Sequence, residues 1–303
     1  MERIATANRQ DLMVSYMLRA QSAVAVAQTQ AATGLKSTEY SGVALDAARI
    51  VNLEDEYKRI ERYVDDGEVI NGRIQTMYDA VGGMVDLTAR LSSLVTSLQG
   101  AGSSADAVQE EAAGLMEEFA ALLNTRQEGR YLFAGDRTDT APADVSAAAY
   151  PAVSADPTTA NTGYYQGGAA ASYFQASDDL VIDYGATADE DAFEYALRAF
   201  NLLSNLSTDP LDTNALDEVS QLASDATDGL AVIQTRLGAT SATLERTIDR
   251  HVAAQLTLQT QVEDIKSVDI AEITARLSVL ETSLQTTMNL LKILDDNSLM
   301  DYL

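Results

Sequence analysis

All four prolines of the chain fall between Pro142 and Pro210, and the flanks 1–141 and 211–303 contain none. Proline lacks a backbone N–H and clashes with the preceding helical turn. In both proline-free flanks, apolar residues recur alternately three and four positions apart. That spacing marks long helices that bury one stripe against a partner. The chain therefore goes out along helices, makes an irregular excursion and returns along helices.

The first seam is Met13, Met17, Ala20, Val24, Ala27 and Ala31, ending near Gly34. The stretch GLKSTEYSG (34–42) reads as a linker or turn. A second seam starts Ile50, Leu53, Tyr57, Ile60, Val64 and keeps its phase through Gly67 and Asn71. It resumes as Ile74, Met77, Val81, Met84, Thr88, Leu91, Val95 and Leu98, and GAGSS (100–104) ends it. As one continuous helix it would be about 70 Å long. Gly82 and Gly83 weaken it locally without breaking the phase.

A shorter helix carries Val108, Ala112, Leu115, Phe119 and Leu122, and turn residues take over in 124–142. The stretch 137–188 is different in kind. YYQ (164–166), ASYFQAS (171–177) and LVIDYG (180–185) read as strands of a small β-rich domain. A helix at about 190–206 follows, with Asp189 as its expected cap. The return seam is Leu216, Val219, Ala223, Ala226, Leu230, Ile233, Leu237, Thr240 and Leu244, continuing more weakly through His251, Leu258 and Ile265. A separate final seam is Ile270, Ile273, Leu277, Leu280, Leu284, Thr287, Leu291 and Leu294.

These patterns predict a mainly α protein: a long antiparallel helical bundle built from both termini, with a small β-rich inserted domain. The expected domains are 1–43 with 266–303, 44–136 with 190–265, and 137–189. The inner helices can pack on each other and on 105–125. The outer two segments each have only one apolar stripe, and an isolated helix is marginal in water. They need each other or neighbouring subunits. The assembly seam expected from this is Met13, Met17 and Val24 facing Ile270, Ile273, Leu277, Leu280, Leu284, Leu291 and Leu294.

Chemistry is sparse. A formal net charge of −26 repels phosphate backbones and anionic membranes, which argues against nucleic-acid binding. Cysteine is absent, and the one histidine, His251, sits in the return seam as a packed or half-exposed helix residue. That excludes most zinc sites and most nucleophile–base pairs. Asp178-Asp179 and Asp189-Glu190-Asp191 lack the spacing of a calcium loop. Tyr164, Tyr165, Tyr173 and Phe174 read as core of the β-rich domain. The reading points to no catalytic, metal or cofactor site. No run is long enough to span a bilayer, and the first twenty residues lack the apolar core and cleavage site of a signal peptide.

The ends of the chain resemble the flagellin superfamily. AQTQAATGLKS (27–37) is similar to the small-residue helix and turn at the family's N-terminus, and 64–94 to its following long helix. The stretch 261–303 is similar to its C-terminal ending. RYLFAGDRTDTAP (130–142), YYQG (164–167), DYGATADEDAFEYALRAF (183–200) and the closing DYL resemble the hook–filament junction branch of that superfamily. Flagellins usually carry a paired-Asp stretch after the glycine turn, and STEYSGVALDAA (37–48) lacks it.

The resemblance implies a structural component of the flagellum, exported without a cleaved signal. It implies that 1–43 and 266–303 are disordered until they coil together on assembly. It implies that 137–189 projects outward. Its implied partners are further copies of the chain, the other junction protein, flagellin, and a cytosolic export chaperone near the C-terminal helix. A short flagellin, a type III secreted tip or translocator protein, and an enzyme such as a filament-embedded peptidase are the alternatives.

Overall fold

The computed structural model describes residues 2–100, 104–152 and 159–300, and within these ranges the side chains from 11 to 293. Pro157 lies outside them. The described residues form α1 (Glu2–Thr33), α2 (Ala47–Gln99), α3 (Ala105–Leu123), α4 (Asp191–Ser204), α5 (Thr213–Lys266) and α6 (Ile270–Met300). Two antiparallel hairpins lie between α3 and α4: β1 (Arg126–Gln127) with β2 (Arg130–Tyr131), and β3 (Ser172–Ser177) with β4 (Leu180–Tyr184). The fold is mainly helical with small strand pairs, as the seams predict. It divides into two compact units, 1–59 with 254–303 and 60–253, and α2 and α5 contribute to both.

Within 60–253, α2 and α5 run antiparallel in one sustained register. A side chain at Gly67 would meet Ile248, one at Gly82 would meet Gln234, and the Thr88 and Thr227 hydroxyls lie 3.3 Å apart. The residue numbers of each pair sum to nearly the same value, so the alignment never slips. Ile74, Met77, Val81, Met84 and Leu91 of α2 are buried, as are Leu230, Ile233, Leu237 and Leu244 of α5. A polar layer interrupts this stripe. Ser241 Oγ donates to Asn71 Oδ1 (2.7 Å) and accepts from Gln75 Nε2 (2.7 Å), and Asn71 Nδ2 donates to Glu245 (3.2 Å). Ser241 is buried while Gln75 and Glu245 are exposed, so a slip would strand the Ser241 hydroxyl, and the contact favours this register.

The shorter helices close the core. Ser104 caps α3 by accepting from the Ala107 N–H (3.3 Å). Phe119 of α3 meets Phe200 of α4 at 5.7 Å, and Phe193 of α4 meets Phe133 edge-on at 5.8 Å. The stretch 137–188 adds Ala143, Tyr150, Tyr164, Ala176, Ile182, Tyr184, Ala186 and Ala188 to the same continuous core. The Asn124 amide holds it to the end of α3, accepting from the Ala143 N–H (2.9 Å) and donating to the Ala143 carbonyl (2.8 Å).

Three local expectations need correction. YYQ (164–166) is not a strand, and Tyr165 makes only an isolated bridge to Ala143. Tyr164 instead sinks fully into the core, its hydroxyl donating to the Ala188 carbonyl (2.8 Å) and its ring edge-on to Tyr150 at 5.4 Å. The stretch 124–142 is more than turn residues, since it holds the β1–β2 hairpin. Its two connecting residues, Glu128 (φ 51°) and Gly129 (φ 81°), are both left-handed, as a two-residue hairpin turn requires. Asp189 does not cap α4. The cap position is Glu190, which makes no capping side-chain bond and is drawn instead to Arg236 at 2.7 and 2.9 Å.

Two glycines make opposite predictions for the same substitution. Gly229 of α5 packs so closely on Ala192 that an added Cβ would lie 2.7 Å from the Ala192 Cβ, whereas nothing lies within 4 Å of one at exposed Gly114. In thermal unfolding, Gly114→Ala should therefore stabilise by about 0.5–1 kcal/mol through helix propensity. Gly229→Ala should destabilise by roughly 1–3 kcal/mol through overpacking.

Glu194 and Arg198 form a buried ion pair at 3.1 Å, their side chains 2% and 5% exposed. Burial holds the Glu194 carboxyl above its ordinary range, and the Asn161 N–H (2.9 Å) and Arg198 only partly pull it back. A raised carboxyl pKa means that the fold takes up the proton more readily than the unfolded chain does. Arg198→Met should cost about 3 kcal/mol at neutral pH, because it strands the carboxylate. Denaturant melts should show that loss shrinking as the pH falls toward the ordinary carboxyl range, where the stranded group becomes protonated.

Candidate functional site

The unit formed by 1–59 and 254–303 is built at the point where the two outer helices leave the two inner ones. α1 ends on Gly34, whose φ of +72° is left-handed and whose N–H closes the last turn on the Gln30 carbonyl at 2.9 Å. The chain then pairs with the stretch that leaves α5. Lys36 N–H donates to the Lys266 carbonyl (2.7 Å), and Val268 N–H donates to the Gly34 carbonyl (2.9 Å). These bonds set Leu35 opposite Ser267 in an antiparallel bridge.

Side chains tighten this clasp. Lys36 Nζ donates to the Ile265 carbonyl at the end of α5 (2.6 Å), and Gln30 Nε2 donates to the Lys36 carbonyl (2.8 Å). Lys266 pairs with Glu54 of α2, and the Tyr40 hydroxyl donates to the same carboxylate (2.7 Å). The Lys266 ammonium and the Tyr40 hydroxyl together hold the Glu54 carboxyl below its ordinary range. Asp269 Oδ1 then caps α6, accepting from the N–H groups of Ala271 (2.8 Å) and Glu272 (3.2 Å). Tyr40–Val43 form a single 3-10 turn inside the connector that lacks the paired Asp.

From the clasp, α1 and α6 lie side by side and antiparallel, since α1 ends there and α6 begins there. Val24, Ala27 and Ile273 are buried between them. Met13, Met17, Leu277, Leu280, Leu284 and Leu291 are half-buried. Ile270 is 50% exposed, and its Cδ1 lies 3.8 Å from where a Gly34 Cβ would be, so it covers the clasp and stays out of the buried seam. The side chain of Leu294 lies outside the described residues. Nearly all the expected seam residues are thus gathered on one intramolecular contact.

The seam pattern does not single out a further set of residues. Leu12, Tyr16, Leu18 and Val26 of α1 are exposed on both sides of its seam. On α6, Val279 is 68% exposed, Leu290 44% and Ile293 55%. At about 100° per residue Val279 and Ile293 come round to the face of α6 opposite Ile273, Leu277, Leu280 and Leu284, whereas Leu290 lies beside the seam, two heptads on from Arg276. Thr282 and Thr286 share that face, which carries no charged residue between 275 and 293. The available signal was a second apolar set out of phase with the stronger leucine repeat.

Other candidate residues have structural settings. His251 is half-buried, stacks on Tyr63 at 5.6 Å, and donates from Nε2 to the Ala176 carbonyl (2.7 Å). The Tyr63 hydroxyl donates to Asp178 (2.8 Å), so both side chains seat the β3–β4 hairpin. Tyr165 and Phe174 are half-buried at the edge of the core, and Tyr173 is 72% exposed. Among the described residues, no three carboxylate or histidine groups converge as a metal cage, and no helix is long and apolar enough to cross a membrane.

The geometry defines a class: a helical protein whose two chain ends are brought together as a pair and left largely bare. Residues 4–138 match the bacterial flagellin N-terminal helical region, and residues 220–303 match the bacterial flagellin C-terminal helical region. The chain belongs to the flagellin family and is a structural protein of the bacterial flagellum. No curated protein matches it in sequence. Its fold is similar to that of a Vibrio parahaemolyticus protein described as a flagellar hook-associated protein, at 17% identity and a TM-score of 0.55, over 73% of this chain and 97% of that one. It is similar also to FlgL of Bacillus cereus, at 18% identity and a TM-score of 0.55, over 71% of this chain and 99% of that one.

Proposed function

We propose that the protein joins filament to hook, assembling through α1 and α6 into a short ring between the other junction protein and the first flagellin subunits. The observation that carries self-assembly is the uncharged back face of α6. A helix that already uses one face on a partner and is apolar on the opposite face is built to be enclosed. α1 adds its own exposed Leu12, Tyr16, Leu18 and Val26, and apolar side chains left bare on paired helices mark an interaction surface. The junction role is supported by 130–142, 164–167 and 183–200, which resemble the junction branch, and by the hook-associated proteins whose fold the chain shares.

In this reading, 1–43 and 266–303 order only on assembly. Among the described side chains of α1 and α6, only Val24, Ala27 and Ile273 are buried hydrophobics, too few to hold two long helices in an isolated subunit. The inner helices of 44–136 and 190–265 form the next layer, and 137–189 faces outward. Export proceeds without a cleaved signal, with a cytosolic chaperone covering the C-terminal helix beforehand. Copies of this chain, each carrying a formal charge of −26, then meet through apolar stripes, where charge does not oppose them.

Electron microscopy of flagella from a deletion strain, with an immunoblot of the medium for flagellin, tests the role. Bare hooks with flagellin shed into the medium are expected. Intact filaments would overturn the junction reading. Filaments missing with no other flagellin to shed would favour a short flagellin that forms the filament itself. Leu284→Asp, expressed in that strain, should fail to restore filaments because it places a charge in the seam. Its 60–253 unit should melt as in the unmodified protein.

A further inference from the structure

The two helix pairs of this chain specify their alignment differently. In the inner pair, the Asn71–Gln75–Ser241–Glu245 layer and the Thr88–Thr227 contact make any slip costly. Among the described side chains the outer pair shows nothing equivalent, and no side-chain hydrogen bond or ion pair joins α1 to α6. Its seam also maps closely onto itself under a seven-residue shift. Leu277 moves onto Leu284 and Leu284 onto Leu291, while Met17 moves onto Val24, Val24 onto Ala31 and Ala20 onto Ala27. Apart from Leu280 moving onto Thr287, apolar still meets apolar after the shift, and a seam of this kind tolerates alternate alignments.

The clasp supplies what the seam lacks. Its two backbone bonds, Lys36 N–H to the Lys266 carbonyl and Val268 N–H to the Gly34 carbonyl, fix one height of one strand on the other. Backbone pairs have a single register, because the next one along presents the wrong groups. The Lys36 ammonium, anchored on the Ile265 carbonyl, ties the same level to the end of α5. One residue of left-handed backbone, Gly34, ends α1 there, and one capping residue, Asp269, starts α6. Thr33 and Ile270 bracket most of the chain, yet the clasp joins them like the two arms of a hairpin. It replaces a long loop closure by a local one.

We propose that this clasp sets the register of α1 on α6, and that the seam contributes adhesion without register. The proposal rests on the reading of the terminal pair as the assembling element. Copies that stack on the back face of α6 must all present it at one height, and the clasp makes that height a property of each chain.

The chain has no cysteine, so engineered pairs report without background. Val24→Cys is combined, one at a time, with Ile273→Cys, Leu277→Cys, Leu280→Cys, Leu284→Cys and Thr287→Cys in the full-length protein. Intrachain disulfide yield is read after mild oxidation in a stabilising osmolyte, which favours burial without requiring assembly. The same set is made with the clasp broken in two independent ways. Gly34→Val with Lys36→Met removes the left-handed residue and the side-chain anchor. Val268→Pro removes a backbone donor. With the clasp intact, one level of α6 should dominate positions a heptad away by about tenfold or more. With either break, the yields should level out across the heptad.

A single unchanged partner in both broken forms would overturn the proposal, because the seam would then hold its own register. Intact chains with no dominant partner would overturn it too. The melting transition of 60–253 checks that each variant is folded. The cross-link lies within one chain, so its pattern is independent of where the protein sits in the flagellum. A failed deletion phenotype would therefore sink the junction reading alone.

Discussion

The antiparallel contact between α2 and α5 is the interaction on which the rest of the molecule depends. Each helix is long, each has one buried stripe, and neither stripe can be covered by a segment close to it in sequence. Pairing the two buries both stripes at once and leaves one alignment available. The Asn71–Ser241 contact favours this, because a one-turn slip would leave the buried Ser241 hydroxyl facing methyl groups. Everything else is attached to that axis. α3 and α4 add aromatic rings to its side, and the excursion of 124–188 is held against the same core by Asn124, Phe133 and Tyr164. In the unit of 1–59 and 254–303, the start of α2 and the end of α5 meet through Glu54 and Lys266, which is why α1 ends and α6 begins at one place.

The same physics distinguishes the two compact units. In 60–253, core positions are filled with Phe, Met, Ile and Leu that are fully enclosed, and even an ion pair, Glu194–Arg198, is tolerated inside. In the terminal pair, enclosure stops at Val24, Ala27 and Ile273. Elements with little buried apolar surface lie at the low-stability end of a protein. In the proposed assembly that deficit is useful: the surface left uncovered in one chain would be the surface offered to the next, with ordering coupled to association.

The helices were legible in the sequence because their signals are strong and redundant. Proline is absent from both flanks, apolar residues hold one phase over many turns, and Gly34, GAGSS and the turn STDP (207–210) punctuate the ends. The misses have physical reasons. The β1–β2 hairpin has two-residue strands, too short to show alternation, and its turn places Glu128 where asparagine or aspartate would have announced it. YYQ looked like a strand because tyrosine favours strands, but burial of the Tyr164 ring decided its backbone instead. Asp189 stood in the right place for a cap and lost to Glu190, whose longer side chain reaches Arg236. Of the site, the seam was legible and the clasp was not. Backbone hydrogen bonds between 34–36 and 266–268 leave no mark in residue type except the glycine.

That asymmetry has a consequence for how the terminal pair works. Adhesion is written in side chains and can be repeated along a helix, so it is generous with alternatives. Register is written in a few backbone groups at the root, where the chain cannot slide because α2 and α5 fix both sides. If the register were instead encoded in the seam by a buried polar residue, that residue would need a partner in every copy and every state. It would also oppose the opening of the pair that the unassembled chain requires. Keeping the seam apolar and placing the alignment at the clasp lets α1 and α6 separate and close again without losing their place. Under the proposed assembly, a chain that travels unpaired and then joins identical neighbours at one height would need both properties at once.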